Sequence, residues 1–414
     1  MKKGLYLSLI FVLTCGIFSG AASFKIRGHI SGLQKGDTLR FERVIPPSWD
    51  FEHAFDIIVE HPDSFSYTGT QEHDQYYLMK YLPKEGVARH FDRLGLSLII
   101  TNGDSISIPG TVDEIYYCIP RGGIYEDSLL TEALLLDRSL GMIRSNYLRE
   151  AEMARSQNDS IRAEQYTRLF NEFGKKSSDP RFDKARQARE AYATAHPSGS
   201  PYLIIEALQT ISYEPIQKSK DLYGIWSPEL KESYYGRLYA KILSDMERLA
   251  EGQPTPAFTA TAIDGIKVTQ SDFNGRYLLI YHWGLCPGSV FIDGKVRELY
   301  DRYSGLGLDV LGLTESLADI RNLYDSLPEN KKTPYVYVDD LRPVVEGMLS
   351  HPWKEIELTA GHPGNISLKE TFGIGGWPFF VLIGPDGTIM ARGFSEAFHK
   401  AENLLSDAFD SKAN

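Results

Sequence analysis

The sequence predicts a multidomain protein with an N-terminal antiparallel β domain, a helical middle segment and a C-terminal α/β domain. Three changes of pattern carry this prediction. Apolar residues alternate at period two near the N-terminus, recur at helical spacing in the middle, and then return as short strands between helices. A chain of 414 residues is also too long for a single core. We assign residues 24–120, 121–252 and 253–414 to these parts.

The first part has the pattern of half-buried strands. From Phe24 and Ile26 onward, apolar residues alternate with polar ones, and a Lys-Gly-Asp turn at residues 35–37 leads into the next alternating run. An Asn-Gly pair at residues 102–103 separates two β-rich runs. Because Asn and Gly tolerate the positive φ angles of tight hairpins, this pair predicts a hairpin within an antiparallel β domain.

The middle segment has helical periodicity. Leu130, Ala133 and Leu134 fall on one helical stripe, and Ser227 followed by Pro228 is typical of a helix start. The interleaved Arg and Glu residues indicate a solvated face, and no catalytic motif is present. The predicted helices cover residues 125–168, 180–196 and 227–251.

A linker rich in proline and glycine, residues 252–256, precedes the C-terminal part. Beyond it, strands alternate with helices and a Pro-Asp-Gly turn closes a final hairpin, which predicts an α/β domain with a mixed sheet. We expect residues 341–367 to form a surface excursion, the alternative being an insertion that shapes a groove. The predicted strands are 277–283, 308–314, 335–338, 379–383 and 388–392, and the predicted helices are 290–303, 318–327 and 396–409.

The N-terminal residues 1–22 have the pattern of a signal peptide. Two lysines precede an apolar run, and small residues follow it, so we expect cleavage near Ala22 and a location in the periplasm or cell envelope. Lipid attachment at Cys15 is less favoured, because Thr14 is bulky for a processing site. No later stretch is apolar enough to span a membrane. A net charge of −11 argues against nucleic-acid binding.

Four stretches of the C-terminal part together resemble the redoxin family, in particular exported thioredoxin-like thiol-disulfide oxidoreductases. They are an entry hairpin at residues 256–276, the run YLLIYHWGLCPGS at 277–289, a loop at 373–380, and the run IGPDGTI at 383–389. The resemblance implies a thioredoxin-like fold, thiol chemistry without a cofactor, and envelope proteins with thiols or disulfides as partners. The β-rich N-terminal part resembles domains of unknown function in envelope redoxins of Bacteroides-like bacteria.

The candidate active site departs from the family pattern. The family places two cysteines, two residues apart, at the start of a helix, whereas here Cys286 is followed by Pro287, Gly288 and then Ser289. Trp283 matches the tryptophan at the end of the family's strand if one residue is missing before Cys286. Without that missing residue, Pro287 takes the position of the family's first cysteine. We prefer the alignment with the missing residue, in which Cys286 takes that position.

The resemblance also assigns residues that shape the site. Pro378, preceded by Trp377, matches the family's cis-proline, and we expect it to lie across from Cys286 and to offer a strand edge to an extended substrate. Backbone N–H groups at a helix start favour a thiolate, which is the nucleophile in disulfide exchange. Cys118 is more simply interpreted as a small buried residue.

Three functions remain open at this point. The first is monothiol disulfide exchange through Cys286, with the mixed disulfide released by an outside thiol, by another protein or by Cys118. The second is a non-catalytic binding module. The third, a peroxide-reducing thiol, is weakest, because Trp283 stands where such proteins carry a threonine. The sequence does not decide whether the protein is an enzyme.

A metal site was also weighed. Cys286 together with His282, His351 and His362 has ligand types suited to copper or zinc, but without tight spacing. We predict no metal and no cofactor.

Overall fold

The computed structural model of the protein describes residues 22–46, 50–85, 93–173, 180–327, 341–359 and 363–410. The predicted signal peptide, except Ala22, and the predicted strand 335–338 lie outside these ranges. Contacts divide the chain into two units, Met1–Val44 with Phe51–Pro197 and Ile45–Asp50 with Ser198–Asn414. The division into three domains stays a prediction.

Alternating apolar residues build two small sheets in the first unit. Phe24, Ile26 and Phe41 are buried while their chain neighbours face outward, as the period-two pattern predicts. The sheets have the strand orders β4-β1-β7 and β3-β2-β5-β6. The strands are β1 (Ala22–Ser31), β2 (Thr38–Ile45), β3 (Asp50–Ile58), β4 (Ser64–Gln71), β5 (Gln75–Leu82), β6 (Leu96–Ile100) and β7 (Ser105–Thr111).

The predicted hairpin at residues 102–103 is wrong. The chain does turn there, with Gly103 at a φ of 89°, but the flanking strands join different sheets. β6 pairs with β5, and β7 pairs with β1 in parallel, so the domain is not purely antiparallel. Turn chemistry specifies the local reversal, whereas the choice of partner strand depends on distant residues.

Three helices complete the first unit: α1 (Ser128–Ser156), α2 (Ser160–Phe173) and α3 (Pro180–Ala195). The Asp127 carboxylate caps α1 by accepting hydrogen bonds from the backbone of Leu129 and Leu130. The single helix predicted over residues 125–168 is interrupted after Ser156, where Asn158 adopts a φ of 58°. That left-handed conformation ends α1 and allows α2 to begin in a new direction.

The second unit begins with four helices: α4 (Pro201–Thr210), α5 (Ile216–Ile225), α6 (Pro228–Glu232) and α7 (Tyr234–Arg248). Ser227 caps α6 as expected, its hydroxyl accepting from the backbone of Leu230. The predicted helix 227–251 divides at Ser233, whose hydroxyl accepts from Gly236 and caps α7. Among the described residues no helix combines the length and apolar character needed to cross a bilayer.

The rest of the second unit is the α/β domain. Its five-stranded mixed sheet has the order β12-β11-β10-β13-β14, and β10, β11 and β12 are parallel. The strands are β8 (Thr259–Thr261), β9 (Lys267–Thr269), β10 (Tyr277–His282), β11 (Leu308–Thr314), β12 (Lys354–Glu357), β13 (Phe379–Ile383) and β14 (Ile389–Gly393). The helices are α8 (Pro287–Tyr303), α9 (Leu317–Ser326), α10 (Leu341–Met348), α11 (Pro363–Thr371) and α12 (Ser395–Asp410). The predicted C-terminal α/β domain is confirmed.

The central strand β10 explains why the sequence predicts this domain well. Leu279 and Tyr281 pack into the core on one face of the sheet, and Leu278 and Ile280 pack into the core on the other. A strand covered on both faces appears in sequence as an unbroken apolar run. Such a strand holds the residue that follows it in a fixed position.

The expectation of a surface excursion over residues 341–367 is wrong. The segment supplies α10, the edge strand β12 and α11, and Met348 and Ile356 are fully buried in the two cores. The charged residue Glu355 of this segment is buried as well.

Candidate active site

Cys286 lies between the end of β10 and the start of α8. It is the N-cap residue of α8, and its Sγ accepts a hydrogen bond of 3.3 Å from the backbone N–H of Ser289. Pro287 occupies the first helical position, where its missing N–H costs no hydrogen bond. The sulfur therefore faces the unpaired N–H groups of a helix start and is partly exposed.

Ser289 makes a second contact with the same sulfur. Its Oγ lies 3.3 Å from Cys286 Sγ and 3.4 Å from the backbone nitrogen of Gly284. The Ser289 side chain is fully buried, which fixes its hydroxyl in this position. When Cys286 is a thiolate, both the Oγ–H and the N–H of Ser289 are placed to donate to it.

Pro378 approaches the start of α8 from β13. The Trp377–Pro378 peptide bond is cis. A Cβ on Gly288 would lie 2.9 Å from Pro378 Cδ and 3.9 Å from Cys286 Sγ. Only glycine at this position lets the proline pack so closely beside the sulfur.

Trp377 is held beside the site by His282. The indole Nε1–H donates to His282 Nε2 at 3.1 Å, and His282 Nδ1 lies 2.9 Å from the carbonyl oxygen of Gly376. Because a carbonyl only accepts, the proton of the neutral ring is on Nδ1. Burial lowers the pKa of His282 to about 4, so the ring is neutral at physiological pH.

The same indole lies flat on Gly284. A Cβ at Gly284 would lie 2.8 to 3.1 Å from three atoms of the Trp377 ring, which leaves no room for a side chain. Trp377 is nevertheless 43% exposed. A large apolar ring is thus fixed at the surface against Gly284, which lies two residues before Cys286 in the chain.

A buried polar network contacts Trp283, whose ring centroid lies 5.0 Å from that of His351. His351 Nε2 lies 2.8 Å from Asp293 Oδ1, and His351 Nδ1 lies 2.7 Å from Glu355 Oε1. Glu355 also accepts from the indole nitrogens of Trp283 at 3.1 Å and Trp353 at 2.8 Å. The side chains of His351, Asp293 and Glu355 are 0%, 3% and 8% exposed.

The charges of this network compensate one another. Burial lowers the pKa of His351, but its hydrogen bonds to Asp293 and Glu355 outweigh that effect, so the pKa is raised above 6.5. Burial raises the pKa of Glu355 against the opposing effect of its hydrogen bonds to His351 and the two indoles. Arg297, 3.2 Å from Asp293, supplies a further positive charge.

The structure thus brings together the predicted site residues Cys286, Pro287, Gly288, Ser289, Trp377 and Pro378. Trp283 is fully buried three residues before Cys286 and donates to Glu355. Sequence reasoning missed Glu355 and Asp293, and it considered His351 only as a metal ligand. One signal was available, since His351, Trp353 and Glu355 occupy alternate positions and so share a face of an extended segment.

The residues weighed for a metal site do not converge. Both ring nitrogens of His282 and of His351 are occupied by the partners described above. His362 lies outside the described residues. Within the part of the chain that the structure describes, no group of three or more His, Cys, Asp or Glu side chains is arranged so that it could hold a metal ion.

The two described cysteines are expected to differ in reactivity. Cys118 is buried, and burial raises its pKa to about 11, whereas Cys286 is partly exposed. At pH 8 we expect iodoacetamide to modify Cys286 in the native protein and to leave Cys118 unmodified until urea is added. Mass spectrometry of the two cysteine peptides measures this difference. Equal modification of both in the native state would contradict the described burial.

Comparisons with known proteins found matches to parts of several redox proteins. The chain is 27% identical over 116 residues to the chloroplastic peroxiredoxin Q of Suaeda salsa, covering 28% of this chain and 52% of that protein. It is 29% identical over 84 residues to the thiol-disulfide oxidoreductase ResA of Bacillus cereus, covering 20% of this chain and 49% of that one. The chain therefore spans about half the length of these curated relatives. No protein-family model matches it.

Among solved structures, the chain is similar to the thioredoxin domain of a thiol-disulfide oxidoreductase from Bacteroides vulgatus. The two are 20% identical, the match covers 38% of this chain and 98% of the other, and the TM-score is 0.27.

Proposed function

We propose that the C-terminal part of this chain is a thioredoxin-like thiol-disulfide oxidoreductase and that it performs monothiol disulfide exchange through Cys286, which the partial match to ResA supports. The observation that carries the proposal is the position of Cys286 Sγ. It caps α8, receives the Ser289 N–H at 3.3 Å, and remains partly exposed beside Pro378.

The first step is an attack on a partner's disulfide. The Cys286 thiolate forms a bond to one sulfur of the partner, the partner's S–S bond breaks, and the other sulfur leaves as a thiolate. The product is a mixed disulfide between Cys286 and the partner. No electron acceptor other than the disulfide is needed, since one disulfide replaces another.

The second step requires a thiol from outside the site. Ser289 holds the position from which a second cysteine would attack, and its hydroxyl forms no disulfide. Cys118 is a poor candidate, because burial raises its pKa to about 11 and keeps it protonated. A thiol of the partner or of a third protein therefore attacks the mixed disulfide and releases Cys286 as the thiolate.

We further propose that the partners are envelope proteins with thiols or disulfides. The support for this location is the signal-peptide pattern of residues 1–22, which is typical of chains exported to compartments where disulfides persist.

Substituting Ser289→Cys is expected to convert the site into a self-resolving one. With dithiothreitol as the reductant, the Ser289→Cys variant should accelerate insulin reduction several-fold more than wild type, in which each mixed disulfide has to be attacked by dithiothreitol before Cys286 can react again. The reason is that the new thiol replaces an Oγ only 3.3 Å from Cys286 Sγ. The turbidity of the precipitating insulin B chain measures the rate.

The matched control is Ser289→Ala, which removes the hydroxyl without adding a thiol and should not exceed wild type. A second control, Cys118→Ser in the Ser289→Cys background, should keep the gained activity. A wild-type rate as high as that of Ser289→Cys would contradict the absence of a resolving thiol. Capture of the same partners by wild type and by Cys286→Ala would instead favour a binding module.

A further inference from the structure

The fixed indole of Trp377 has no role in the chemistry proposed above. Its nitrogen is bonded to His282, its ring rests on Gly284, and yet 43% of the residue is exposed. An exposed apolar side chain normally moves among rotamers. Holding one rigid in water lowers the entropy lost when a partner covers it, and tryptophan is among the residues that most often dominate interfaces.

The residues next to Cys286 in the chain are uncharged as well. Leu285 is half-buried and Pro287 is exposed, and the first turn of α8, residues 287–290, contains only Pro, Gly, Ser and Val. No charged group in that turn complements the carboxylates and ammonium group of a small charged thiol. These residues favour a substrate in which an uncharged, bulky side chain lies next to the reacting cysteine.

We propose that Trp377 is a specificity-determining residue that selects polypeptide disulfides in which an aromatic or bulky apolar side chain lies next to the reacting cysteine. His282 acts as a positioning residue by fixing the indole. The incoming side chain packs on the exposed part of the ring while Cys286 Sγ attacks the neighbouring sulfur. This inference rests on the proposed exchange reaction and names its substrate class.

The test uses two peptides that differ only in the residue beside their cysteine, phenylalanine or glycine. Each peptide carries 5-thio-2-nitrobenzoate as a mixed disulfide. Attack by Cys286 forms the Cys286–peptide disulfide and releases the coloured thiolate, so a single turnover is measured and no resolving thiol is needed. Wild type is expected to react about tenfold faster with the phenylalanine peptide, the gain from burying one aromatic contact.

Three variants and one control distinguish a role of Trp377 in selectivity from a general loss of structure. Trp377→Ala should bring the rate ratio close to one, and Gly284→Ala should do the same because its methyl group displaces the indole. His282→Phe, which keeps a ring but cannot accept the indole N–H, should give an intermediate ratio. Leu306→Ala removes an apolar residue that is 61% exposed beyond the far end of α8, and it should leave the ratio unchanged.

The outcomes are distinguishable. A wild-type ratio near one, or a high ratio that survives Trp377→Ala, overturns the inference and leaves the exchange reaction standing. Failure of Cys286 to release the chromophore from either peptide overturns the exchange reaction, and the inference with it.

Discussion

Alanine in place of His351 is expected to lower the free energy of unfolding by about 3–5 kcal/mol, the cost of leaving a buried charge without its partner. The His351 ring is fully buried and contacts one carboxylate with each nitrogen, at 2.8 Å to Asp293 and 2.7 Å to Glu355. Removing the ring leaves both carboxylates away from water. Urea denaturation followed by circular dichroism measures the change.

His399→Ala is the matched control. His399 also contacts a carboxylate, that of Glu402 at 3.0 Å, but its side chain is 56% exposed. The control should cost less than about 1 kcal/mol, as exposed ion pairs do. Similar losses for both variants would show that the buried network does not contribute in the way described. In a double-mutant cycle, Glu355→Gln should cost less in the His351→Ala background than in wild type.

The contribution of His351 has a defined pH dependence. Its pKa in the folded protein is raised above 6.5, so the folded state binds this proton more tightly than the unfolded state does. The stabilisation is complete below pH 6.5 and is lost as the pH rises through the folded value. The stability difference between wild type and His351→Ala should therefore narrow toward alkaline pH.

His282 is expected to destabilise the fold in acid. Its contribution to stability therefore changes with pH in the direction opposite to that of His351. Burial lowers its pKa to about 4, Lys369 adds to that effect, and the bond to the Gly376 carbonyl opposes it. The unfolded state therefore binds the proton more tightly than the folded state between pH 6.5 and 4. Across this window the group should remove about 3 kcal/mol from the free energy of unfolding as the pH falls.

The His282→Gln variant tests this effect, because glutamine can keep both hydrogen bonds and does not titrate in the window. Urea midpoints measured from pH 7 to pH 4 should fall more steeply for wild type than for the variant. Parallel curves would mean that His282 is not the group whose protonation destabilises the domain.

Much of the C-terminal domain could be predicted because its signals are local. The apolar run of β10, the turn at residues 385–387 and the residues around Cys286 each specify their own structure, and β11 and β13 have the predicted bounds. The interruptions after Ser156 and at Ser233 were less visible. Each depends on one residue with a special conformation or cap inside a long run of good helix formers.

The buried network could not be predicted for a different reason. Glu355 and Asp293 belong to residue types that are almost never fully buried unless they are paired. Asp293 lies 58 residues from its partner His351 along the chain, so the sequence near either residue does not indicate the pairing. The same limit hid the contact between His282 and Trp377, which are 95 residues apart.

The capping role of Cys286 ties the helix to the covalent state of its sulfur. As a thiolate, the sulfur is a full anionic acceptor for the Ser289 N–H, and an effective cap stabilises a helix by about 0.5–2 kcal/mol. Once bonded to a partner, the sulfur is a weaker acceptor, and the first turn of α8 loses part of that support. Under the proposed exchange reaction the helix start is therefore most stable with the free thiolate and least stable in the adduct, so recovery of the cap favours release of the partner.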